Sequence, residues 1–321
     1  MNWATLIGDG GRNGGAGDAT IGLYGKVPGQ PDFLRSNAGE FSQAGLDLWF
    51  QEGMEIIRAE GTSLPPSPTA FLLARSDSPH AFVGAFVPST DAAGRPFPLA
   101  VFACIGSRGL TDAFPSLTDD YAPFIEAAGA LLREGGGLTG PELVERTRSL
   151  TANLPADGGH APASARLGGD PSQPLRAGLN GSASALGYAL RTLASACDQA
   201  AKTGPDGRSG VITVQAPTPD ASARALWLEL ARRRLRWREG VPSLLWTDGE
   251  APRILLTLGQ PSPAALSYLA NPRHRAARFW PLQTDVAVAR DQAMSALTPE
   301  QRRMVENPRV TLGDLVTAFS I

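Results

Sequence analysis

Three apolar runs follow one another between positions 70 and 105: Ala70-Phe71-Leu72-Leu73-Ala74, Ala81-Phe82-Val83-Gly84-Ala85-Phe86-Val87 and Leu99-Ala100-Val101-Phe102-Ala103-Cys104-Ile105. Each has the length of a strand, and none alternates with polar residues. A strand of that kind has no side to offer to water, so it is buried on both faces. The chain must therefore cover a sheet from above and from below.

Segments able to do so are spread along the sequence. Residues 36–60 carry Leu46, Trp49, Phe50, Gly53, Met54 and Ile57 at three- and four-residue steps, which predicts one amphipathic helix. Residues 119–134, 140–151 and 184–202 read as helices, the last with Leu186, Tyr188, Leu190, Leu193 and Cys197 on its apolar face. Val211-Ile212-Thr213-Val214 reads as a strand and residues 221–238 as a helix. Two further strands, 242–247 and 253–258, flank Asp248-Gly249-Glu250, a hairpin signal. Thr298-Pro299-Glu300-Gln301 combines a capping threonine, a proline at the first helical position and a glutamine that completes a capping box. Strands alternating with helices predict an α/β fold, a mixed sheet flanked by helices on both sides.

Glycine and proline mark the connections. Gly8 to Gly17 resembles a phosphate loop only superficially. The segment after it, Thr20 to Lys26, reads as a strand rather than a helix, and no Gly-Lys-Ser/Thr is present. Residues 1–19 are expected to be a flexible tail. Between Leu154 and Gly181 the apolar pattern is lost, and a mobile connection is expected at about 154–181. Residues 20–321 are expected to form one α/β domain, because the second half has too few strands to close a core by itself.

Composition narrows the function. The chain has 321 residues, 42% of them hydrophobic and 19% charged, with a formal net charge of −2. That balance argues against non-specific nucleic-acid binding, which needs many phosphate-neutralising cations. Five arginines (Arg232, Arg233, Arg234, Arg236 and Arg238) close the 221–238 helix, where cations complement the helix dipole. They are read as a solvated face. No apolar run approaches the roughly 18 residues of a spanning helix, and the N-terminus lacks the basic start of a secretory signal. A soluble, cytoplasmic protein is expected. Cys104 and Cys197 are read as buried thiols in a reducing compartment.

Signals for chemistry are missing. His80, His160 and His274 have no metal-ligand spacing, and no Gly-x-Ser-x-Gly elbow occurs. Asp119-Asp120 is the only tight carboxylate pair and is placed at a helix start. No enzyme, cofactor or metal site is expected.

Two motifs concentrate glycine, proline, charge and an aromatic residue. One is Gly25-Lys26-Val27-Pro28 followed by Asp32-Phe33-Leu34-Arg35. The other is Pro88-Ser89, Asp91 and Gly94-Arg95-Pro96-Phe97-Pro98-Leu99, read as a long rigid connection between two strands. Lys26, Asp32, Arg35, Asp91 and Arg95 are the candidate site residues. They either pin the turns through Arg–carboxylate contacts or face a partner.

These motifs carry a resemblance. Gly22-Leu23-Tyr24-Gly25-Lys26-Val27-Pro28 with Asp32-Phe33-Leu34-Arg35, and Pro88-Ser89-Thr90-Asp91 with Gly94-Arg95-Pro96-Phe97-Pro98-Leu99, resemble the two signatures of the TagF family, also called ImpM. Leu46-Asp47-Leu48-Trp49 is similar to that family's Trp-bearing helix. Pro242-Ser243-Leu244-Leu245-Trp246-Thr247 is similar to its C-terminal element. Pro31 stands where the family often has glycine. The resemblance implies a three-layer α/β/α sandwich and an accessory role in bacterial type VI secretion. It also implies post-translational restraint of secretion by binding a forkhead-associated scaffold protein. A second possibility is a small-molecule or phospho-ligand sensor in which Lys26 and Arg95 converge on an anion.

Overall fold

Side chains along the central strands alternate between two separate cores. The computed structural model describes residues 19–155, 167–207 and 211–320. Nine strands form one sheet: β1 (Thr20–Gly25), β2 (Leu34–Ser36), β3 (Thr69–Ala74), β4 (His80–Thr90), β5 (Pro96–Gly106), β6 (Ile212–Pro217), β7 (Ser243–Thr247), β8 (Arg253–Leu258) and β9 (Phe279–Pro281). Their order is β2-β1-β5-β4-β3-β7-β8-β6-β9. All neighbours are antiparallel except β6 and β9, so the sheet is mixed.

The period of two sorts the residues as the apolar runs require. Ala70, Leu72, Val83, Ala85, Val101 and Ala103 point to one face, and Phe71, Leu73, Phe82, Phe86 and Phe102 to the other. Helices α1 (Gly39–Gln43), α2 (Leu46–Glu60) and α10 (Ala264–Ala270) cover the aromatic face. The aliphatic face is covered by α3 (Leu110–Ala113), α4 (Leu117–Asp120), α5 (Ala122–Glu134), α6 (Gly140–Ser149), α7 (Gln173–Gly178), α8 (Ala183–Thr203), α9 (Ala221–Leu235), α12 (Pro299–Glu306) and α13 (Leu312–Phe319). A further helix, α11 (Ala287–Ser295), packs on α8. The architecture is a three-layer α/β/α sandwich.

Several sequence expectations change in detail. The single helix over 36–60 is two helices, because Gly45 adopts a left-handed φ of 70° between them, and its first residue, Ser36, belongs to β2. The long connection from Pro88 to Pro98 is largely strand. β4 and β5 stay paired as far as Thr90 opposite Pro96, leaving Asp91 to Arg95 as the hairpin tip. The proposed connection at 154–181 contains α7, with Leu167, Leu175 and Leu179 buried. Its centre, residues 156–166, lies outside the described residues, as do residues 1–18 and His160. Asp119 and Asp120 end α4 immediately before α5 begins.

Of the five arginines read as a solvated face, Arg236 and Arg238 are exposed beyond α9, but Arg232, Arg233 and Arg234 are held in ion pairs. Glu229 is buried and accepts from Arg232 Nε at 2.9 Å and Arg233 Nε at 2.5 Å, and Arg234 holds Asp198 at 2.7 Å. Arg234 also donates to the Phe319 carbonyl near the end of α13. Other local signals stand as read. Thr298 and Gln301 close a capping box at α12, and the 242–258 segment is the β7–β8 hairpin.

Both cysteines are buried and free. Burial pushes the Cys104 thiol up to about 11 and the Cys197 thiol up to about 12. Since the thiolate is the nucleophile, neither cysteine should be alkylated by iodoacetamide in the native protein at pH 8, and both should react after denaturation. Mass spectrometry reads the difference.

The aromatic core has a centre. Phe41 is fully buried and stacks on Phe102 at 4.5 Å, with Phe82 edge-on at 5.3 Å. Phe41→Ala should cost about 3–5 kcal/mol, measured by urea denaturation.

Candidate functional site

The two glycine- and proline-bearing motifs meet at one end of the sheet. β1 and β5 are neighbours, so the loop leaving β1 lies against the tip of the β4–β5 hairpin. Gly25 makes the close approach possible. Its φ is 143°, and a Cβ there would stand 2.1 Å from the Pro98 carbonyl oxygen. Hydrogen bonds tie the loops together: the Ala92 backbone N–H donates to the Gln30 carbonyl at 2.9 Å, and the Arg95 side-chain Nη2 donates to the Pro31 carbonyl at 3.1 Å. The Pro31 carbonyl is thus part of the junction.

Asp91 is the centre of this junction. Its side chain has no exposed surface. Oδ1 accepts from the backbone N–H groups of Ala93 at 3.0 Å and Arg95 at 2.9 Å. Oδ2 lies 3.0 Å from Lys26 Nζ and 2.6 Å from Arg95 Nε. Burial alone would raise the pKa of this carboxyl. The Arg95 N–H, the Lys26 and Arg95 side chains and the Ala93 N–H outweigh it and hold the group well below the usual carboxylate range.

The five candidate residues therefore divide. Lys26, Asp91 and Arg95 come together in one ion cluster. Lys26 is mostly buried, with its side chain 11% exposed and its ammonium 5.3 Å from the Phe33 ring centroid. The Arg95 side chain is 63% exposed even though Asp91 holds Nε and the Pro31 carbonyl accepts from Nη2. Arg35 and Asp32 are exposed on the adjoining segment and do not join the cluster. Arg35 instead lies over the rings of Tyr24 at 5.3 Å and Phe33 at 5.7 Å.

The aromatic part of this surface escaped the sequence reading. Tyr24 stacks on Phe33 at 5.4 Å, and Phe33 meets Phe97 edge-on at 4.8 Å. Phe33 and Phe97 were visible as the aromatics of the two motifs. Their contact depends on the β1–β5 pairing, which no local signal announces. Gln30, whose carbonyl receives the hairpin tip, gave no signal at all. The result is a rim of exposed Arg35, Asp32 and Arg95 around a packed aromatic cluster. Such a surface suits recognition by charge-assisted hydrogen bonds from its exposed rim.

His80 lies 3.6 Å from Glu40 and His274 lies 4.0 Å from Glu60. Among the described residues no three His, Cys, Asp or Glu side chains are grouped to hold a metal ion. Among the same residues no helix is long and apolar enough to cross a membrane.

Comparison with known proteins finds one family model that matches part of the chain. Residues 22–146 match the family model of the TagF N-terminal domain, type VI secretion system-associated. The match contains both motifs and every residue of the Asp91 junction. No curated protein matches the chain. A crystal structure of PA0076 from Pseudomonas aeruginosa PAO1 is similar at 21% identity, with a TM-score of 0.47 over 80% of this chain and 96% of that one.

The cluster has a pH signature. A depressed carboxylate pKa contributes stability that is complete above the unfolded value, near 3.9. That stability is lost as pH falls below it toward the folded value. Asp91→Asn should lower the midpoint of thermal unfolding at pH 7. The gap between wild type and variant should narrow on acidification below about pH 4. Arg95→Ala, which removes one of the two cations on Asp91 but keeps the Arg95 backbone N–H bond, should lower the pH 7 midpoint too.

Proposed function

We propose that this chain, which carries a type VI secretion-associated TagF N-terminal domain, is a non-enzymatic accessory protein that works by binding another protein. On this reading it is a cytoplasmic, post-translational negative regulator, and its partner is the forkhead-associated scaffold protein of the secretion system. The observation that supports a binding surface is the outward half of Arg95. Asp91 and the Pro31 carbonyl fix Nε and Nη2, so the exposed remainder of the guanidinium is presented in one orientation. A preorganised side chain loses less entropy on binding than a free one. Arg35 and Asp32 extend the surface, and the aromatic cluster beneath keeps it rigid.

The sensor reading at the same place is less well supported. Lys26 and Arg95 do converge on an anion, but that anion is Asp91, supplied by the chain itself.

Calorimetry of the purified chain with the forkhead-associated scaffold from the same secretion cluster tests the proposal. Saturable binding is expected, with Arg95→Glu weakening it by about tenfold or more, the loss of one charge-assisted hydrogen bond. Because the variant also removes a cation from Asp91, its affinity is read at a temperature where circular dichroism shows it folded. A folded wild-type chain that does not bind would rule out this partner.

A further inference from the structure

The helical cover of the aromatic face stops short of the β6–β9 edge of the sheet. Helix α10 ends at Ala270, and the chain returns through residues 271–278 to β9. Between that return loop and the ends of β6 and β8 lies an open cavity of about 1060 Å³. That is large enough for a small-molecule ligand, whose pockets run from about 300 to 1,000 Å³. Prolines at 217, 219, 252, 272 and 281 stiffen the backbone around it. This region lies outside the segment matched by the TagF N-terminal domain.

The charge in the cavity is one-sided. Arg253, Arg273 and Arg275 line it with His274, against the single carboxylate of Glu250. Arg273 and Arg275 are exposed and have no ion-pair partner among the described residues. Arg253 and Gln215 stand on the same face of neighbouring strands β8 and β6. Each is only partly satisfied. Arg253 Nη2 donates to the Leu269 carbonyl at 3.0 Å, but its Nε is buried without a hydrogen-bond partner. Gln215 Nε2 donates to the Pro272 carbonyl at 3.4 Å, and its buried Oε1 has no partner. Burial weakens the hold of Arg253 on its proton, and no carboxylate offsets that effect. A desolvated cation without a counter-charge is unfavourable, and an anion in the cavity would supply one.

We propose that this cavity binds a small molecule bearing a phosphoryl group, held by Arg253, Arg273 and Arg275. Three guanidinium groups offer more donors and more positive charge than one planar carboxylate can accept. A tetrahedral phosphate, with its several oxygens and double charge, matches them better.

The test is isothermal titration of the full chain with inorganic pyrophosphate as the probe and citrate as the carboxylate control. Saturable pyrophosphate binding is expected, weakened about tenfold or more in the Arg273→Gln/Arg275→Gln double variant. Those two side chains are exposed, so the variant should fold. Arg253→Gln should weaken binding too, provided circular dichroism shows it folded. Arg95→Glu should keep wild-type affinity, which separates this site from the scaffold-binding surface. Absence of saturable binding, unchanged affinity in the double variant, or equal affinity for citrate would each overturn the proposal.

Discussion

The central strands have no solvent side, and the rest of the molecule is arranged around that constraint. β3, β4 and β5 bury nearly every residue, so each face of the sheet needs its own helical layer. The faces differ in kind. One carries phenylalanines, filled out by the aromatic and aliphatic side chains of α2 and α10. The other carries alanine, valine and leucine, and α5 lies across β4 there with Phe124, Ala128, Leu131 and Leu132 inward. Large side chains on one face and small ones on the other let both layers reach interior packing density without voids.

The same pairing that buries the core also creates the candidate surface. β1 lies beside β5, and β5 pairs with β4 to the hairpin tip, so two motifs more than sixty residues apart in sequence meet at one sheet end. Asp91 then does for the loops what the apolar runs do for the strands. It removes their freedom by giving four donors one shared acceptor. A buried carboxylate with a single cation would be a weak support. With two cations and two backbone N–H groups around it, its remaining hydrogen-bonding capacity is used.

Much of this was legible beforehand, for identifiable reasons. Strand positions 70–74, 81–87 and 99–105 announce themselves because continuous apolar runs bounded by turns have few other uses. Thr298-Pro299-x-Gln301 announces a helix start because capping is a local event. What stayed hidden was set by distant partners. Nothing near Arg234 indicates that Asp198 will hold it, since Asp198 lies on α8, whereas Glu229 stands three and four residues before Arg232 and Arg233 on one helix, a pairing local spacing allows. The break at Gly45 was masked by the apolar period running on from Leu46. At the candidate site, residue types singled out Asp91, Arg95 and Lys26. Only the fold separates them from Asp32 and Arg35, which lie nearby in sequence but outside the cluster. Arg253 and Gln215 carried no signal, because what matters about them is which hydrogen bonds are missing.

The pairing of β3 with β7 has a consequence for how the chain can be divided. β3 belongs to the segment matched by the TagF N-terminal domain, and β7 lies about a hundred residues beyond the end of that match. A fragment cut after residue 146 would lose β7 from the edge of β3 and α10 from the face of α2. It would expose an apolar strand with its hydrogen-bonding groups unpaired, the kind of edge that recruits other chains. The boundary at which the family is recognisable in sequence is therefore not a boundary at which the polypeptide can be expected to stand alone.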